Sequence, residues 1–415
     1  MKIRFLILVL TIVIGANAQN PDVNYAKYQR FRTRLTNEFM YFSGDAGVRA
    51  SHLPMENIYY VNGRKIAYWA DATWWQGHYV AVLATEYALK KRSGENTDRT
   101  LEELRLALAV YDRLDCEAES CWNGRDTLNG FYLRDDVAAT DTALFHVNGI
   151  YSDYLYNCGH VEKIGNSPSQ DQAWATYLGL ALAKKLVDDD SVQCAVASIA
   201  TRIVRVMQFT DEKGRPHWQI VNPVTGKLTQ KEGDIQWLQY PHGEIGSMLS
   251  GQNLHFGKSG KANWKNIWNI LQNNVLIDGD GHFTWYGVML LSAVMDEGGA
   301  GSPNCYEWLV KTCEKIVRRH PEMGQTLFFP HLPLANLVLY GKDGKTLVDK
   351  SLYEQYLDAA PADGIITKSV KGETVRTAAP WHTLSLFCPW HDKTTGDGNM
   401  IDYMLLYNLY RLVYE

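Results

Sequence analysis

The sequence predicts an all-α fold, a toroid of six or seven helical hairpins, (α/α)6 or (α/α)7, with alternating inner and outer helices in one domain over residues 19–415. Three observations carry that expectation. Stretches such as Ala173–Leu182 are apolar on every side and so require burial on every side. They alternate along the chain with amphipathic stretches, of which Asp98–Leu114 is the plainest. No convincing strand–helix–strand rhythm, the mark of a parallel sheet, accompanies them.

Residues 1–18 read as a signal peptide: Lys2 and Arg4 form a basic start, Phe5 to Ile14 an apolar core, and Ala16-Asn17-Ala18 a small-residue cleavage site. The apolar run is too short to span a bilayer, and no cysteine follows the cleavage site to carry a lipid. The expectation is an exported chain without a membrane span, periplasmic or secreted.

Asp22–Tyr41 is a charged amphipathic helix, and Gly44–Ile66 a loop of weak strand character. Within it Ile58-Tyr59-Tyr60-Val61 precedes Asn62-Gly63, a hairpin signal. Tyr79–Leu89 is of the inner type, and the stripe Leu101, Leu104, Leu108, Val110 and Tyr111 marks an outer helix after it. Ala138–Tyr156 and Ser167–Val187 read as inner, Ser191–Gln208 as outer. Ser167, Pro168 and Gln170 give the second of these a capped start. His242–Leu254, Trp285–Glu297 and Leu327–Tyr340 continue the inner set. Ala262–Asn274, Pro303–Arg319 and Thr346–Ala359 continue the outer one, and Gly398–Tyr414 closes the chain. The stretches 120–137, 209–240 and 360–397 are long connections, a length usually tied to function.

The net charge of −5 gives no reason to expect a nucleic-acid partner. Aromatic residues stand out: 13 Trp and 24 Tyr, many beside Asp, Gln, His or Gly, the composition of a cleft where sugar faces stack on rings. Seven cysteines, an odd number, do not make a disulfide framework, although Cys116 and Cys121 are near enough in a loop to bridge. Asp278-Gly-Asp280-Gly and Lys342-Asp-Gly-Lys345 lack the spaced acids of a calcium loop, so neither a metal nor another cofactor is expected.

Trp74-Trp75-Gln76-Gly77-His78 and Ser169-Gln170-Asp171-Gln172-Ala173-Trp174 each lead into an inner helix, and Asp397-Gly398-Asn399-Met400-Ile401-Asp402-Tyr403 begins the ending of the chain. In these residues the chain resembles the six-hairpin glycosidase group, whose (α/α) toroids hold glycoside hydrolases and some polysaccharide lyases. Gln172-Ala173-Trp174 is similar to part of the motif of unsaturated glucuronyl hydrolases, which have Arg-Gly where this chain has Gln170-Asp171. The resemblance implies a central cavity ringed by the leading ends of the inner helices, and an oligosaccharide or polysaccharide as partner.

Glycoside hydrolysis needs a carboxylic acid to protonate the leaving oxygen and a carboxylate to activate water or attack carbon. Asp171 is the first candidate, because it opens a helix too apolar to meet water elsewhere. Asp71, ahead of Trp74 and Trp75, is placed similarly, and Asp135-Asp136 follow the aromatic run Phe131-Tyr132. Trp74, Trp75, Gln76, His78, Gln172, Trp174, His242, Glu244, Trp285, Trp381 and His382 are the candidate substrate contacts. Two alternatives stay open. A lyase would use a His or Tyr base and a cation, with His242, Arg134 and Arg376 available. A sugar-binding toroid would keep the tryptophans and need no facing pair of acids.

Overall fold

The computed structural model describes residues 23–69, 71–120, 124–154, 170–207, 224, 226, 239–254, 331–340, 350–360, 367–369, 374–376 and 395–415. Helix dominates them, with a small mixed sheet at one side. The signal-peptide stretch and the expected helices Ala262–Asn274, Trp285–Glu297 and Pro303–Arg319 lie outside the described residues.

Helix α1, Val23–Arg34, continues as a wider π-type turn, Leu35–Phe39. Two antiparallel strands follow, β1 (Asn57–Val61) and β2 (Arg64–Tyr68), joined at Asn62 and Gly63. Both joining residues have positive φ, 50° and 74°, as the tight turns matching strand twist require, so the Asn-Gly hairpin forms where its signal lies. Helix α2 runs over Ala72–Ser93, ended by Gly94 in the left-handed conformation, and α3 over Asp98–Cys116.

The expected helix Ala138–Tyr156 is not one. A short 3-10 turn at Ala139–Ala143 and the strand β3, Gly149–Tyr151, stand in its place. Two interactions outcompete helix here: the Asp141 carboxylate accepts the Ala138 N–H at 2.7 Å, and β3 pairs with β2. Helices α4 (Gln170–Leu186), α5 (Asp190–Met207), α7 (His331–Tyr340) and α8 (Lys350–Ala359) fall within or beside their expected spans, while α6 (Gln239–Ser250) begins three residues before the expected His242–Leu254 and ends four residues short of it, at the positive-φ Gly251. The stretch 360–397, expected to be a connection only, contains strands β4 (Thr367–Ser369), β5 (Thr374–Arg376) and β6 (Thr395–Gly398) ahead of α9, Ile401–Tyr414.

The sheet corrects the all-α expectation. Its order is β3-β2-β1-β6-β4-β5, antiparallel except for the parallel β2–β3 pair. β6 reaches β1 from the far end of the chain, with Asn57 opposite Gly398. Such pairing leaves little trace in either partner's local sequence, because each strand supplies only half of the ladder.

The helices sort by burial as their patterns predict. Trp74 through Thr85 of α2 and Gln172 through Ala183 of α4 are buried on all sides, as is most of α9. On α3 and α5 one stripe is buried, Leu104, Leu108 and Tyr111 on the first and Val192, Val196, Ile199 and Ile203 on the second. α2 packs on α4, α9 and α3, while α4 also meets α5, α6 and α7. The α2–α4 crossing is a backbone contact. A Cβ on Gly77 would lie 2.3 Å from the Ala175 carbonyl oxygen, and one on Gly179 would lie 2.3 Å from the Gly77 carbonyl oxygen. Among the described residues no helix is long and apolar enough to cross a membrane.

Candidate active site

Parallel pairing of β2 and β3 makes the site. Ile66, Ala67 and Tyr68 run beside Gly149, Ile150 and Tyr151, and the Trp69 N–H donates to the Tyr151 carbonyl at 3.0 Å. Both chains therefore leave the sheet at the same end, one toward Asp71 and the other toward Asp153. Arg134 joins them. Its Nη1 lies 3.5 Å from Asp71 Oδ1 and 3.3 Å from Asp153 Oδ2, so those two oxygens are within about 7 Å of each other.

The two carboxyl groups differ in setting. Asp71 precedes α2 yet makes no side-chain cap bond. Its Oδ1 instead accepts a hydrogen bond from Gln172 Nε2 on α4 at 3.0 Å. The Thr73 hydroxyl donates to Gln172 Oε1 at 2.9 Å, which turns the amide so that its N–H faces Asp71. The Asp71 side chain is 37% exposed and that of Asp153 only 11%. Burial pushes the Asp153 carboxyl up to about 7 against the opposing pull of Arg134, and the Asp71 charge adds to the rise. One carboxyl group thus meets solvent while the other keeps its proton near neutrality.

A third acid stands behind them. Glu56, just ahead of β1 and 4% exposed, accepts the Asp71 backbone N–H at 3.3 Å and the Asn57 side-chain amide at 3.0 Å. Burial, then the charge of Asp71, holds its carboxyl well above the ordinary range. Among the described residues no three His, Cys, Asp or Glu side chains group as a metal site.

Asp135 and Asp136, expected as catalytic acids in a loop, are completely buried and serve the framework. Asp136 pairs with Arg113 Nε at 2.7 Å and accepts the Ala50 N–H at 3.2 Å. Arg113 also donates to the Ser51 carbonyl at 3.0 Å and to the Ala46 carbonyl. This buried pair holds the loop 46–52, in which Ala50 and His52 adopt φ of 62° and 56°.

The aromatic candidates fall into two described clusters. Trp74 and Trp75 lie 5.1 and 5.9 Å from His78, and His78 meets His331 edge-on at 5.6 Å. His78 Nδ1 donates to the Trp74 carbonyl at 2.9 Å, and burial lowers its pKa to about 4. Trp174 stacks on His242 at 4.0 Å, with Tyr177 beside both. Burial lowers the His242 pKa to about 3, and neither of its ring nitrogens has a hydrogen-bond partner among the described residues. Gln76, expected to touch substrate, instead spends its amide on the Ala107 carbonyl of α3 at 2.7 Å.

Asp171 sits in the first turn of α4 and Glu244 in the second turn of α6, but their side chains are not among those described. Trp285, Trp381, His382, Arg376's side chain and Cys121 also lie outside the description. Sequence reasoning missed Asp153 and Glu56. Their only signal is an acid flanking a short β-prone run, Gly149-Ile150-Tyr151 for one and Asn57–Val61 for the other. No family model, curated protein or solved structure matches this chain.

Proposed function

We propose that the chain is an exported glycoside hydrolase, acting on an oligosaccharide or polysaccharide, with Asp153 as general acid and Asp71 as base or nucleophile. The observation that carries this reading is the shared Arg134: two carboxyl groups converge on one guanidinium, one buried and pushed to about 7, the other partly open to solvent. A carboxyl titrating near neutrality can give a proton to a glycosidic oxygen at working pH. Asp71, supplied with donors by Gln172 and Arg134, is the group that meets the anomeric carbon or its attacking water. The two oxygens that meet Arg134 are at most about 7 Å apart, which does not exceed the span of hydrolase pairs. In the same reading α2, α4, α6, α7 and α9 belong to the inner ring of an (α/α) toroid, and the β2–β3 end of the sheet closes its mouth beside the acids. Trp74, Trp75 and Trp174, expected to stack on sugar, are only 6%, 3% and 0% exposed and pack against His78 and His242 instead.

The test is a screen of the purified chain against oligosaccharide and polysaccharide substrates, read for new reducing ends and for ultraviolet-absorbing unsaturated products. Reducing ends without unsaturation, lost in both Asp153→Asn and Asp71→Asn, are the expected result. Unsaturated products would replace the reading with a lyase, and binding without turnover would replace it with a sugar-binding protein.

A further inference from the structure

We propose that Asp135 is a positioning residue that, together with its neighbour Arg134, grips Asp153 at both ends. The proposal rests on the hydrolase reading for its catalytic consequence only. Arg134 reaches the Asp153 carboxylate, at 3.3 Å, while Asp135 Oδ2 accepts the Asp153 backbone N–H at 2.8 Å and that of Tyr154 at 3.4 Å. The other Asp135 oxygen accepts the Val137 N–H at 3.0 Å and so fixes the turn from which it reaches across. The Ser152 hydroxyl, donating to the Val137 carbonyl at 2.7 Å, ties the same two segments a second time. One step further, Asp136 is anchored to Arg113, so the grip is mounted on a buried ion pair. Consecutive residues Arg134, Asp135 and Asp136 therefore hold the acid's side chain, hold its backbone and fasten the holder. Burying an acidic group such as Asp135 is costly, and three backbone N–H donors on its oxygens offset part of that cost. Setting the side-chain direction of Asp153 gives that expense a use.

The test uses the full chain with 13C-labelled aspartate, with Asp153→Asn to assign its signal. Asp153 is titrated, and amide exchange at Asp153 and Tyr154 followed, in wild type, Asp135→Asn and Asp135→Ser. Serine can still accept the Val137 N–H but is too short to reach Asp153, and neither variant leaves a new buried charge. Both variants are expected to fold, with the Asp153 pKa at least about one unit lower, because burial is its largest cause. Faster exchange at the two amides and a kcat at least about tenfold lower with little change in KM should accompany it. Folded variants with unchanged titration and exchange would overturn the proposal. Failure of both variants to fold would overturn it too, showing a purely structural role. Titration and exchange need no substrate, so a chain inactive on every glycan but with Asp153 released would sink hydrolysis and keep the grip.

Discussion

Asp153→Asn separates the chemistry of the site from its energetics. The folded protein raises this carboxyl from 3.8 to about 7, so between those values the folded state holds a proton that the unfolded state has lost. Wild type therefore loses stability as pH rises through that window, by up to about 4 kcal/mol at and above pH 7 and roughly 1.5 kcal/mol at pH 5. Asparagine cannot ionise and escapes the loss. Arg134 keeps Asp71 at 3.5 Å, so removing the Asp153 charge does not strand the guanidinium. At about 2.1 cal/mol/K per residue, a chain of 415 residues gains a little over 1 °C in Tm per kcal/mol. The variant should melt roughly 5 °C above wild type at pH 8 and roughly 2 °C above it at pH 5, while turnover falls at least about a hundredfold. Calorimetry across pH, paired with the reducing-end assay, checks both. A Tm difference that does not grow between pH 5 and 8 would refute the buried-acid argument, and unchanged turnover would remove Asp153 from the mechanism.

Three further outcomes follow from the packing. Gly77→Ala forces a methyl to within 2.3 Å of the Ala175 carbonyl oxygen, and backbone on both helices must yield; a loss of about 1–3 kcal/mol in urea unfolding is expected. Asp136→Ala strands Arg113, only 4% exposed in its side chain, and should cost about 3–5 kcal/mol by the same measurement. Asp402, in the first turn of α9, is buried and pushed up to about 7 by desolvation, against the Tyr403 N–H. Its folded pKa is raised, so Asp402→Asn should leave Tm near wild type at pH 4 and raise it at pH 8.

The helices were legible because their information is local. Ala173–Leu182 has no polar face to offer water, and the Leu104, Leu108 and Tyr111 stripe of α3 has one apolar side; both patterns survive in any context. Asn62-Gly63 was legible for the same reason, its turn depending on two residues alone. The helix-start candidates Asp71 and Gln172 were found by position, although their hydrogen bond to each other was not.

Tertiary structure alone decided the rest. Ala138–Tyr156 has helix-like composition, yet pairing of Gly149–Tyr151 with a strand more than 80 residues earlier outweighs it. Thr367–Ser369 and Thr395–Gly398 are short and polar, and become strands through partners distant in sequence. Asp135-Asp136 read as candidate catalytic acids and are completely buried, because Arg113 and the Asp153 N–H supply what water would have supplied. Asp153 itself is one acid among many until the fold removes its water and sets Arg134 beside it. A helix is encoded in neighbours along the chain, whereas a carboxyl's pKa is set by neighbours in space.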